Sequence, residues 1–326
     1  MSLLDRSRTR AGEPEAAALR GTVQRARWAQ RLGYHRFWVA EHHAVPGIAS
    51  GSPPVLMAAV AAATERIRVG SGGVMLPNHQ PLVVAEQFAM LDALYPGRID
   101  LGVGRSLGFT APVRRALRHD RDAPDTFADD LAELRAYLDG SAEVTVHPAL
   151  GHSVPVFVLA TGHGLPVAGD AGLPVVLGGP VLHAEELPEL LADYRARARR
   201  AGARPYVAVS ADVLVAGSDA AARQLALPEA VAMAVAKTTG EFPALQPVDP
   251  TQRLTERQRR IVESGIERTL HGAPDTVADQ LGELLDRTGA DELLSSASTF
   301  DRAALRESDA RLVALFDAPA AVESAA

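Results

Sequence analysis

"RIRVGSGGVMLPNHQP", residues 66–81, reads as a β-strand that has been weakened in the middle. Ile67, Val69, Val74, Met75 and Leu76 suit a strand, and Pro77 ends it. Yet Gly70, Gly72 and Gly73 stand inside the run. Glycine in a strand costs backbone entropy and packs nothing. It marks a bulge, a sharp bend or the close approach of something flat to the backbone.

The flanking segments alternate between apolar runs and helical spacing. "SLLD" (2–5) is a short first strand, and residues 13–33 have helical periodicity ending on Gly33, a good residue to follow a helix. "HRFWVA" (35–40) is a strand, and 52–64 is a helix with Ser52 as its expected N-cap and prolines in its first turn. After the glycine strand come a helix (82–94), the strand "RIDLGVG" (98–104) and a helix over 125–139. "EVTVHP" (143–148) is expected as an extra strand. Further core strands are expected at 154–160, 173–179 and 205–216, the last two separated by a helix. A helix (275–289), the strand "DELLSSAS" (291–298) and a closing helix (301–317) end the chain.

Eight such units make a parallel sheet with helices outside. In a chain of 326 residues they fit a closed (β/α)8 TIM barrel better than an open sheet. Residues 1–326 are expected as one domain, with insertions after strands 4 (106–124) and 7 (228–260). The second, rich in Pro and Thr, is expected to be a mobile lid over the strand ends.

Apolar residues make up 47%, enough for a large core. The 33 Lys and Arg against 40 Asp and Glu give a net charge of −7, which argues against a nucleic-acid partner and, less strongly, against an anionic membrane surface. No cysteine is present, so no disulfide, thiolate nucleophile or cysteine-bound metal is available. The start lacks an apolar signal region and the run at 55–63 is too short to span a bilayer, so the expected location is the cytoplasm.

In a barrel of this kind the chemistry lies where strands end. Strand two ends in Glu41, His42 and His43. Alternation in an extended chain points His42 away from His43 and pairs Glu41 with the His43 side, which makes a metal site on the two adjacent histidines improbable. One histidine is a candidate acid, base or hydrogen-bond donor near neutral pH, or else it closes the loop on backbone carbonyls. Strand four ends "LGVGRSLG", which is neither a dinucleotide fingerprint nor a P-loop. Arg105 there matches a phosphate, or pairs with a nearby acid on the surface. Thr161 and Gly162, after strand five, begin a loop that either cradles a phosphate with its N–H groups or is a plain turn. Asn78 and His79 end strand three. The other histidines show no metal-ligand spacing, and no metal is expected.

Taken in order, "LGYHRFWVAEHH", "RIRVGSGGVMLPNH", "PLVVAEQFAMLDALYPGRIDLGVGR" and "GADELL" resemble the bacterial luciferase-like flavin monooxygenases, in particular single-chain members of natural-product pathways. The resemblance implies a barrel that takes reduced FMN (FMNH2) from a separate flavin reductase and O2 as co-substrate. It implies His42 as the catalytic histidine with Glu41 and His43 beside it, and Arg105 on the flavin phosphate. It places a cis peptide at Gly72-Gly73 against the flavin ring; Asn78, Thr161 and Gly162, at the strand ends read above, are the further cofactor-binding candidates. It implies an apolar carbonyl or polyketide-type substrate, and a homodimer formed near helix 52–64. The stretch 161–180 departs from the family pattern: Pro166 and Gly169 make a poor helix, and Gly178, Gly179 and Pro180 replace pocket-lining side chains. Two alternatives follow. One is an oxidoreductase that uses the deazaflavin F420. The other is a barrel that has lost flavin and serves as a non-redox enzyme or a binding subunit.

Overall fold

The computed structural model describes residues 1–108, 110–119, 122, 124–249, 251 and 253–317. The barrel strands are β1 (Ser2–Asp5), β2 (Arg36–Val39), β3 (Arg68–Ser71, resuming at Val74–Met75), β4 (Ile99–Gly104), β5 (Val156–Ala160), β6 (Val175–Gly178), β7 (Val207–Ala211) and β8 (Glu292–Ser295). They pair in parallel in the order β3-β2-β1-β8-β7-β6-β5-β4, and Val69 opposite Ile99 joins β3 to β4 and closes the ring. The expected (β/α)8 TIM barrel is therefore the observed fold.

The helices are α1 (Ala16–Leu32), α2 (Pro53–Ala62), α3 (Pro81–Leu94), α4 (Ala111–Ala116), α5 (Phe127–Asp139), α6 (Gly164–Asp170), α7 (Leu187–Arg200), α8 (Asp219–Thr239), α9 (Glu256–Glu267), α10 (Pro274–Thr288) and α11 (Arg302–Asp317). Gly33 ends α1 in the left-handed region at φ 86°, as its place in the sequence required. Ser52 precedes α2 but its side chain bonds to no helix N–H. Pro53 and Pro54 take the first positions and leave fewer N–H groups to cap.

Four expectations are corrected. Residues 143–148 form no strand; the ring is closed and offers no edge to pair with. The run 205–216 is two strands: β7 stops at Ala211, and Val213–Val215 pairs with Leu270–Gly272 outside the ring. Asp212 marks the break. Residues 164–170 do form a helix, because Pro166 sits in its first turn where no N–H is needed. Gly169 brings α6 close to α7: a Cβ there would lie 2.7 Å from Arg197 Cβ. The expected lid at 228–260 lies mostly in two regular helices. α8 continues through Pro228, and α9 opens with a capping box between Thr255 and Gln258. Ala226, Ala230 and Ala234 of α8 pack with Val262 and Ile266 of α9.

Strand alternation separates two layers of core. Leu3, Phe37, Val39 and Val69 pack outward against the helices. Leu4, Trp38, Phe157, Val176 and Leu294 point into the lumen. Trp38 meets Phe157 edge-on at 5.1 Å and donates Nε1–H to Asp100 Oδ2 at 3.2 Å. Asp100 also holds Arg36 and Arg68, at 2.7 and 2.6 Å, so the charges at the bottom of the lumen are paired.

This lumen accounts for the glycines of β3. A Cβ on Gly70 would lie 2.4 Å from Trp38 Nε1. One on Gly72 would lie 2.6 Å from Leu4 Cδ1, and one on Gly73 2.8 Å from Gly102 O. The expectation that glycine clears room for a ligand ring is corrected in this respect: the room a side chain would take is filled by the protein itself. The Gly72-Gly73 peptide is cis.

Gly70→Ala should destabilise the fold by about 1–3 kcal/mol through overpacking. Trp38→Leu in the same chain should recover part of that loss, as contacting residues couple. Urea unfolding of the two single variants and the double variant measures the coupling; a stabilised Gly70→Ala chain would contradict this account.

Candidate active site at the strand C-termini

A parallel barrel brings all its strand ends to one mouth. Glu41, just past β2, has a fully buried side chain. His43 Nε2 and His79 Nε2 both bond its Oε1, at 2.6 and 2.7 Å, and Met75 N–H donates to Oε2 at 3.0 Å. Burial alone would raise the Glu41 pKa. The bonds to the two histidines and to the Met75 N–H outweigh it and hold the carboxyl down at about 2. Glu41 pairs with the His43 side, as alternation along the strand required. His79, from the end of β3, is the second imidazole. The three ligand-type atoms lie within 4.8 Å of one another, a spacing that a metal ion could also bridge. The hydrogen bonds account for the arrangement as it stands.

His42 faces the other way. Its N–H donates to Ser50 O at 2.9 Å, and its Nδ1 is buried without a hydrogen-bond partner. Burial, then the Arg6 and Arg8 charges, push its pKa down to about 4. His42 is therefore neutral at pH 7. The expectation of a group titrating near neutrality is corrected.

The charges around His42 come from the segment after β1 and from α8. Arg8 Nε donates to Glu229 Oε2 at 2.8 Å, and Arg6 lies 3.4 Å from both Glu229 and Asp212. Glu229 is 8% exposed. Burial raises its pKa, but Arg6 and Arg8 outweigh burial and keep it ionised. Arg6, Arg8, Asp212 and Glu229 were not among the candidates read from the sequence. The signal available was "DRSRTR" (5–10), three arginines at alternate positions directly after a core strand; Arg6 and Arg8 turn to Glu229, while Arg10 donates to Thr299 O and Phe300 O.

The remaining candidates ring the same mouth. Asn78 has both amide atoms buried and neither bonded. Arg105 is turned outward to Asp125 at 2.8 Å, in a pair whose side chains are 45% and 57% exposed. Gly162, at φ 127°, and the exposed Thr161 lead into α6. Between the ends of β6, β7 and β8 and the α8–α9 pair lies a cavity of about 480 Å³. Its lining includes Arg6, Gly178, Asp212, Glu229, Met233 and Ser296.

A family model described as luciferase-like monooxygenase matches residues 1–292. The crystal structure of apo-MsnO8 superposes with a TM-score of 0.84 at 31% identity, covering 98% of this chain and 99% of that one. The oxygenating constituent of 3,6-diketocamphane monooxygenase from Pseudomonas putida, a Type II Baeyer-Villiger monooxygenase in complex with FMN, shares the fold. Its TM-score is 0.73 and its identity 19%, with 96% of each chain covered. An N-acetyl-S-alkylcysteine monooxygenase of Bacillus subtilis (strain 168) is 46% identical over 139 residues, 42% of each chain.

Two pH windows follow. The folded Glu41 pKa is below its ordinary value of 4.5, so its stabilisation is present above pH 4.5 and is lost as pH falls toward 2. The folded His42 pKa is below 6.5, so the unfolded chain binds that proton first and stability falls as pH drops from 6.5 toward 4. Glu41→Gln should flatten the stability profile in the first window and His42→Gln in the second. In ¹⁵N NMR, the His42 ring should titrate near pH 4; a midpoint near 6.5 would contradict the burial argument.

Proposed function

This chain belongs to the luciferase-like monooxygenase family, and from that premise we propose that it oxygenates a small organic substrate with dioxygen and reduced FMN supplied by a separate reductase. The observation that carries the cofactor reading is the Asn78 amide. A buried donor and acceptor left unpaired cost about 1–3 kcal/mol each. A flat heterocycle whose edge carries adjacent N–H and C=O groups satisfies both, and the pyrimidine edge of a flavin has that pattern. The residues present at the mouth therefore fit the group.

The ring would lie against the Gly72-Gly73 backbone with its edge on Asn78. Arg105 would take the phosphate, since its exposed pair with Asp125 is worth about 1 kcal/mol or less and gives way cheaply. Thr161 and Gly162 would add hydrogen bonds at the same end. Bound reduced flavin supplies the electrons that activate dioxygen.

The other steps belong to the chain. Neutral His42 has a buried, unpaired Nδ1, which would bond an oxygen atom and take or give a proton. Burial, helped by the Arg6 and Arg8 charges, keeps it uncharged at rest. Glu41 locks His43 and His79 in place, so that the loop carrying His42 does not shift. Leu182, Leu214, Met233 and Ile261 of the cavity wall exclude water from the space they line. A deazaflavin offers a similar tricycle and phosphate, and titration with FMN and F420 separates the two.

The outer faces of α2 and α3 support the proposal of a homodimer. Val55 is 72% exposed on a helix without a charged residue, and Val83, Met90 and Leu94 are exposed on α3. A helix apolar on all sides is one that is covered.

With a flavin reductase, NADH and ¹⁸O₂, a thioether or carbonyl substrate should gain one ¹⁸O atom. His42→Ala should lower kcat by about a hundredfold or more. Asn78→Leu should weaken reduced FMN binding by about tenfold. A chain that neither binds reduced flavin anaerobically nor incorporates the label contradicts the proposal. Val55→Glu should halve the mass measured by light scattering; a wild-type monomer contradicts the dimer.

A further inference from the structure

The cavity at the barrel mouth runs into a second groove, of about 500 Å³, along α8 and α9. The two share Lys237, Ile261, Gly265 and Arg268 in their linings. Arg257, Arg260 and Ser264 complete the groove, so it holds four cations and no acid, in a chain of net charge −7. These cations are barely engaged. Lys237 and Arg257 have no hydrogen-bond or ion-pair partner among the described residues. Arg260 reaches Glu256 at 3.7 Å across an exposed helix face, and Arg268 donates to the Ser264 hydroxyl. A single-sign groove at the entrance of a cavity draws in ligands of the opposite sign.

The inner end is charge-paired instead. Glu229 lines the cavity with its Oε1 3.4 Å from Arg6 Nη1, and Arg6 also reaches Asp212 at 3.4 Å. Asp212 stands beside it. Between the two ends the walls are apolar: Leu182, Leu214, Met233 and Ile261. The space therefore has three zones: a paired ionic zone inside, an apolar middle and a cationic exit. Together they have the volume of a site for a molecule of drug-like size.

We propose that the substrate is an amphipathic organic anion. Its carboxylate or phosphate rests on Lys237, Arg257, Arg260 and Arg268, and its apolar body fills the cavity. That this ligand is the one oxygenated rests on the monooxygenase reading; that it binds does not. The uncharged carbonyl substrate expected from the sequence would leave the cationic end of this space unused.

The test is calorimetric titration of the full chain, without flavin, with N-decanoylglycine, its methyl ester and decyl phosphate. The acid should bind at least about tenfold tighter than the ester, the equivalent of one charge-assisted hydrogen bond. The tighter of the acid and the phosphate names the anion. The difference between acid and ester should collapse in K237Q/R268Q and in high salt, and return in K237R. FMN affinity should be unchanged in K237Q/R268Q. Equal binding of acid and ester, or no binding, overturns the proposal, as does acid binding that K237Q/R268Q leaves intact. Loss of FMN affinity in that variant also overturns it and assigns the groove to the cofactor's phosphate. The substituted side chains are exposed, and circular dichroism checks that the variants fold. No step here uses dioxygen or flavin turnover, so a failure of the oxygenase reading appears separately, in the ¹⁸O assay.

Discussion

The lumen of a closed eight-stranded barrel is narrow, and here Trp38 occupies it. Its Nε1–H donates to Asp100, and its ring meets Phe157 edge-on. To admit that ring, β3 gives up its side chain at Gly70, and Leu4 and Leu159 claim the space beside Gly72, Gly73 and Gly102. Large residues therefore close the lumen from below, and the mouth above it is left for polar groups. The strand ends then determine which side chains meet.

Two kinds of polar group occupy that mouth. Glu41, His43 and His79 form a saturated set: every oxygen of the carboxylate is engaged and its proton affinity is low. His42 and Asn78 form an unsaturated one, each with a buried polar atom lacking a hydrogen bond. A saturated set fixes geometry, and an unsaturated one waits for a ligand. The adjacent residues Glu41 and His42 fall into opposite sets because a strand end sends neighbours to opposite sides.

The barrel could be read from the sequence because alternation of apolar runs with helical spacing is a local signal, repeated along the chain. The pairing of Glu41 with His43 could be read for the same reason, since it needs only the period of a strand. What could not be read depends on partners far away in sequence. Gly70 answers to Trp38, Gly72 to Leu4 and Gly73 to the Gly102 backbone, all distant in sequence. Arg6 and Arg8 look like solvated surface until Glu229 of α8 arrives to pair with them. "EVTVHP" has strand composition, but a closed ring has no edge for it. Pro228 suggested an irregular lid, and packing of α8 on α9 carries the helix through it.

The most direct measurement of the account is a crystal structure of the protein prepared anaerobically with reduced FMN. The tricycle is expected against the Gly72-Gly73 backbone with both Asn78 amide atoms bonded to its pyrimidine edge, and His42 Nδ1 facing the ring. A flavin bound elsewhere, or one that leaves the Asn78 amide unpaired, would contradict it.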